Sequence, residues 1–249
     1  MAFTLPPVHD IAIEIEGRTF EGSWYVVLGD MVVNYNGHTA KAHKGASDAD
    51  TVAIEVLRDL VRKHYICLDL LPANLPAPVR NAAYIFLNSF HVGQPAHDLV
   101  SSFGESVLGS RVHRQLSWLC VNAIGMVAPY WKFMCDSDTP ERTYLALRKW
   151  LADPSHSVDW ALAQSPSIAT RNGARVGDCD ACRLEPIADA VAKTATYLRT
   201  ADSLMAVDAL LAVASAYDEG CHPQGSHDRF EKWLVFDVLP QACQCKSLE

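Results

Sequence analysis

The sequence predicts an α+β chain, with a four-stranded antiparallel meander and one helix in front and an all-helical domain behind. Three observations carry this. Apolar and polar residues alternate with period two near the N-terminus. Gly29-Asp30 and Asn36-Gly37 punctuate the same stretch as hairpin turns. Beyond residue 79 strand alternation gives way to helical spacing.

In the first strand Ile11, Ile13 and Ile15 alternate with Ala12, Glu14 and Glu16, so the isoleucines share one face. Gly17-Arg18 turns the chain into a second strand from Thr19 to Leu28, containing Phe20, Trp24 and Val26. Gly29-Asp30, with glycine first, suits a type II′ turn. Met31 to Tyr35 form the third strand, and both residues of Asn36-Gly37 tolerate the positive φ of the next turn. His38 to Lys44 complete the meander. Ser47 or Asp48 can cap a helix running to about residue 66. Its Ala53, Val56, Leu57, Leu60 and His64 form one stripe that can cover a sheet face. Residues 1–70 are therefore expected as a ββββα module, which is small enough to be marginal alone.

Residues 71–78 are expected as a linker, because Pro72, Pro76 and Pro78 favour an extended, semi-rigid connector. The all-helical domain is expected over 79–249. Val79, Ala83, Phe86, Leu87 and Phe90 make one stripe, and Val112, Leu116, Leu119, Ala123 and Met126 make another that stops before Pro129. Thr139-Pro140-Glu141 has the order of N-cap, first-turn proline and first-turn acid. Pro186 is expected to open a further helix, Asp202 or Ser203 the next, and Ser226 the last, with Phe230, Trp233 and Leu234 on one side.

Composition bounds the function classes. The 249 residues carry 21 Lys+Arg against 29 Asp+Glu, a formal charge of −8. Duplex nucleic acid needs a basic face, and an anionic membrane needs a polybasic patch; neither is present in the sequence. No apolar run is long enough to span a bilayer, and MAFTLPPVHD has neither the basic start nor the apolar stretch of a signal peptide. The expected address is the cytoplasm. Acid is concentrated in 176–228, where nine acidic residues face only Arg183, Lys193 and Arg199. Asp178, Asp180, Asp218, Glu219 and Asp228 are the candidate partner-binding residues, since clustered charge steers an oppositely charged protein. Solvation of an alanine-rich helix pair is the plainer reading of the same charge.

The eight cysteines lack a secretory context, so reduced thiols or a metal site are expected rather than a disulfide framework. Cys67, Cys120 and Cys135 lie in apolar or aromatic sequence, as small buried hydrophobes do. Cys179-x-x-Cys182 can grip zinc, with Cys221 and His227 as further ligands, if the intervening helices form a hairpin that brings both clusters to one end. Ordinary cysteines at a loop and a helix start are the alternative. Cys243-x-Cys245 is expected in an exposed tail. Cys221, His222, His227 and Asp228 can be drawn as a nucleophile–base–acid set, but no nucleophile elbow, phosphate loop, dinucleotide fingerprint or H-E-x-x-H motif accompanies them. No catalytic residue is assigned and no cofactor is expected, zinc being the alternative. Trp118, Trp131, Trp150 and Trp160, with Tyr130, Phe133 and Tyr144, are dense enough to build a core or to anchor an interface.

The helical part resembles the all-helical immunity proteins of bacterial polymorphic toxin systems over about residues 110–240. The resemblance is carried by Trp118-x-Cys120, Pro129, Asp138-x-Pro140, Arg148-x-Trp150 and the alanine-rich helices Ala188 to Ala195 and Ala206 to Ala216. The CDAC and CHPQGSHD segments and the front module depart from that pattern; the module is similar to small bacterial meander-plus-helix proteins without assigned activity. The resemblance implies a cognate inhibitor that binds and occludes a basic toxin. A zinc-stabilised scaffold or adaptor and a phage-type inhibitor of a nucleic-acid enzyme remain as alternatives, as does a small hydrolase or transferase using Cys221 or His222.

Overall fold

The computed structural model describes residues 6–15, 17–43, 48–89, 93–131, 139–163, 179–217 and 227–244. The fold is α+β, with the sheet at the N-terminal end and helices after it. The chain divides into two compact units, one comprising residues 1–67 with 88–90 and the other 68–87 with 91–249.

In the first unit, β1 (His9–Ile15), β2 (Arg18–Val27), β3 (Asp30–Tyr35) and β4 (His38–His43) pair in sequence order, all antiparallel. Ile13, Phe20, Trp24, Met31, Val33 and Tyr35 are buried on one face, against Ala53, Leu57, Leu60 and Val61 of α1 (Ala49–His64). That is the outcome of period-two alternation meeting a period-3.6 stripe. Asp48 caps α1 by accepting from the Thr51 amide at 3.2 Å, and Arg62, Lys63 and His64 sit in the last turn, where the helix dipole favours cations. Gly22 lets α1 approach: a Cβ there would stand 2.7 Å from the Asn34 carbonyl oxygen and 2.8 Å from Leu57 Cδ1. Asn88 closes the unit by exchanging two hydrogen bonds with Ile66, each 3.0 Å, while its carbonyl accepts from Asn36 Nδ2 at 2.6 Å.

The first hairpin pairs Ile15 with Arg18, so Arg18 belongs to β2 rather than to the turn. The second also differs from the expected II′ turn. Val27 pairs with Asp30, leaving Leu28 and Gly29 as the turn, with φ of +53° and +89°. Two positive φ values belong to the type I′ family, whose twist matches the strands. The third turn is Asn36-Gly37, at φ +43° and +77°.

The second unit is helical: α2 (Ala77–Leu87), α3 (Gly93–Ser101), α4 (Arg111–Val127), α5 (Thr139–Ala152), a short α6 (Trp160–Ala163), α7 (Cys179–Thr200), α8 (Ser203–Ala216), α9 (His227–Trp233) and α10 (Leu239–Gln244). Segment 71–78 is not an extended connector. The Leu75 amide donates to the Pro72 carbonyl in a turn, Leu71 and Leu75 are buried, and Pro78 lies in the first turn of α2. Proline's fixed φ suits both the turn and a helix start.

The centre of this unit is α4, with Leu116, Leu119, Cys120, Ala123, Ile124 and Val127 fully buried. α7 and α8 pack as an antiparallel pair beside it, joined through Ala201 at φ +58° and the Asp202 N-cap. α8 is apolar nearly all round, as a helix enclosed by others must be. The helix containing Pro186 starts earlier than expected, at Cys179. A proline inside a helix forfeits one backbone bond, and burial of Leu184, Ile187, Ala188, Ala190 and Val191 offsets that loss. Between α9 and α10, Leu234–Val238 winds as a π-helical turn just before Pro240, which cannot donate to an i−4 carbonyl.

Candidate functional site

Among the described residues, one concavity lies within the helical unit. It is a cleft of about 530 Å³ whose lining includes His113 and Arg114 from α4, Trp150 from α5, Trp160 from α6, and Leu198 and Arg199 from α7. Leu108, Gly109, Ser117, Leu151 and Pro154 also line it.

Its floor is set by how α4 begins. Ser110 is the N-cap and accepts from the His113 amide at 3.1 Å. The two side chains that follow then fold back on Gly109, which has a positive φ of +78°. His113 Nδ1 accepts from the Gly109 amide at 3.1 Å, and Arg114 Nη2 donates to the Gly109 carbonyl at 3.1 Å. With Nδ1 accepting, the neutral ring carries its proton on Nε2. Burial holds the His113 pKa below the ordinary imidazole value, and the positive charge of Arg114 acts in the same direction. The backbone of Tyr197 and Leu198 opposes that shift without reversing it. Ser117 is tied down by donating to the His113 carbonyl at 2.6 Å.

The aromatic wall comes from either side of a loop. Asp153 orders it, accepting from the Ser155 amide at 3.0 Å and from the Ser155 hydroxyl at 2.7 Å, bonds that also lower the Asp153 pKa. Asp159 caps α6 by accepting from the Leu162 amide at 3.0 Å, which presents Trp160 at the helix start. Trp150 and Trp160 meet nearly perpendicular, 86° between planes and 5.5 Å between ring centroids. The Arg199 guanidinium stands 5.9 Å from the Trp160 ring centroid, within cation–π range. Behind the cleft, Tyr197 and Ser106 share a 2.8 Å hydrogen bond, and burial raises the Tyr197 pKa, so its phenol stays protonated.

The residues singled out from sequence fall largely elsewhere. Asp178, Asp218, Glu219 and Cys221, with His222, lie outside the described residues. Cys179, Asp180 and Cys182 lie in the first turn of α7, and His227 and Asp228 open α9, but their side chains are likewise outside the description. Among the described residues no group of His, Cys, Asp and Glu is arranged to hold a metal ion, and no helix is long and apolar enough to cross a membrane.

Three cysteines can be compared with their expectation. Cys120 is buried, and loss of hydration pushes its thiol up to about 12. Cys67 is exposed rather than buried, since it lies past the end of α1 and off its apolar stripe. Cys243 is buried, not in an exposed tail: Leu239, Ala242 and Cys243 fall on one face of α10, and the Cys243 carbonyl accepts from Gln115 Nε2 at 2.9 Å. Of the tryptophans, Trp131 is core, whereas Trp118, Trp150 and Trp160 are only half-buried. The cationic side of the cleft, Arg114 and Arg199, had no sequence signal, because the two positions are far apart in the chain. No family model matches this chain, nor does any curated protein or solved structure.

Proposed function

We propose that this chain is an immunity-type inhibitor, which binds a cognate basic protein through acidic surface and occludes its working face. The supporting observation is the crowding of carboxylates where α7 packs on α8. Glu185 and Asp189 are exposed on α7, and Asp208 is half-buried on α8. Partial loss of hydration raises the Asp189 pKa, Lys193 opposes it, and the neighbouring Asp208 and Glu185 add to the rise. Lys193 pairs with Asp208 at 3.4 Å, so among the described residues one ammonium serves a group of three acids. This is the described part of the same acid-rich stretch that includes Asp178, Asp180, Asp218, Glu219 and Asp228. Such a field accelerates encounter with a basic partner and weakens as salt rises.

The test is retention of a partner from the native host's lysate on the immobilised full chain at low and high salt, followed by co-expression of the recovered partner with this chain. The reading expects one basic protein at stoichiometric amounts, released by salt, toxic alone and neutralised by co-expression. Glu185→Gln with Asp189→Asn, or Asp178→Asn with Asp180→Asn, is expected to weaken retention. A partner whose binding ignores both salt and these substitutions, or one that this chain does not neutralise, overturns it. Zinc bound at Cys179, Cys182, Cys221 and His227 with no protein partner would support the scaffold instead.

A further inference from the structure

We propose that the cleft between the start of α4, the end of α5 and the end of α7 is a binding site for a small aromatic carboxylate. This is independent of the protein-partner reading, since it concerns other residues and the opposite charge.

Size comes first. A volume of about 530 Å³ falls within the range of small-molecule sites and suits one bicyclic ring system with a short acidic arm. The walls specify the body of the ligand. Trp150 and Trp160, perpendicular at 5.5 Å, form a corner where an aromatic ring can stack on one indole and meet the edge of the other. Leu108, Leu151, Pro154 and Leu198 add apolar contact.

Charge specifies the arm. Among the described residues the lining contains two guanidiniums, Arg114 and Arg199, and no carboxylate. Each is already positioned: Arg114 by its bond to the Gly109 carbonyl, Arg199 by its place over Trp160. A guanidinium has five N–H groups, so it can keep such contacts while donating to an anion, and its planar fork matches a carboxylate. Holding the side chains in place beforehand reduces the ordering cost of binding. A phosphate dianion would lose more hydration than this largely apolar wall returns, which favours the singly charged, planar group. Neutral His113 can contribute a donor without adding a full positive charge.

The experiment is titration calorimetry of the full chain with 2-naphthoate, 2-naphthamide and 2-naphthyl phosphate as probes. Saturable 1:1 binding of 2-naphthoate is expected, at least about tenfold tighter than the isosteric neutral amide and tighter than the phosphate. Arg199→Gln and Trp160→Leu are each expected to weaken naphthoate by about tenfold. Arg199 is exposed, so its substitution leaves the core intact; if Trp160→Leu lowers the melting temperature, Arg199→Gln decides alone. Absence of saturable naphthoate binding overturns the proposal, as does equal affinity for acid and amide. Preference for the phosphate, or naphthoate binding untouched by Arg199→Gln, overturns the assigned chemistry.

Discussion

The Tyr144 side chain of α5 occupies the space a side chain on Gly125 of α4 would need: a Cβ there would stand 2.7 Å from Tyr144 Oη and 2.9 Å from its Cζ. Two effects oppose each other at this position. In an exposed helix, Gly→Ala gains about 1 kcal/mol through propensity. Here the clash forces α5 or the phenol ring to move, which costs about 1–3 kcal/mol. Gly125→Ala is therefore expected to lower stability in urea unfolding followed by circular dichroism. In a Tyr144→Ala background the same substitution is expected to be neutral or stabilising, since the obstacle is gone. A loss of equal size in both backgrounds would show that Gly125 is needed for some other reason.

Leu28 occupies a position better suited to another residue. It is fully exposed and sits at φ +53° in the turn joining β2 to β3. Left-handed backbone costs an L side chain about 1–2 kcal/mol, and asparagine tolerates it far better. Leu28→Asn, creating an Asn-Gly turn and sacrificing no buried surface, is expected to stabilise the sheet unit by about 1 kcal/mol. Leu28→Val is expected to do the opposite, because β-branching worsens the strain. Thermal midpoints of the two variants, ordered Asn above wild type above Val, would check both.

That turn also marks how far the sequence could be read. Alternation put Ile11, Ile13 and Ile15 on one face, and Ile13 is found in the core with Ile11 and Ile15 packed against it. It could not choose between Leu28-Gly29 and Gly29-Asp30, because the two registers differ by two residues and keep every side chain on its own face. Turn propensity favoured the glycine-first pair, yet the observed register sets Trp24 opposite Val33. The N-caps at Asp48 in the sheet unit and Asp202 in the helical unit, each one of two neighbouring candidates, and the stripe of α4 were legible, since each is a local pattern. The extent of α7 was not: Pro186 is a strong start signal that tertiary burial overrides. The cleft was beyond sequence reasoning for a related reason. Trp150 and Trp160 stood out as part of an aromatic cluster, but only packing brings Arg114 and Arg199 to them.

His113 ties the cleft to pH. Its folded-state pKa lies below the unfolded value of about 6.5, chiefly because the ring is buried. The unfolded chain therefore binds a proton that the native ring resists, and stability rises with pH across that interval. The contribution is complete above about pH 6.5 and is lost as pH falls from there towards the depressed native pKa. Protonation would also end the acceptance by Nδ1 from the Gly109 amide, releasing the turn that leads into α4. His113→Gln removes the titration while keeping a hydrogen-bonding side chain. At about pH 7.5 it is expected to destabilise the fold by about 1–3 kcal/mol, from poorer packing and a lost or weakened bond to Gly109. As pH is lowered to about 5.5 the gap between variant and wild type is expected to narrow, because only the wild type bears the cost of resisting a proton. Urea unfolding of both proteins at several pH values in this window measures the gap directly. A gap that stays constant would mean that His113 does not titrate differently in the native and unfolded chains, and a gap that widens on acidification would reverse the sign derived from its burial.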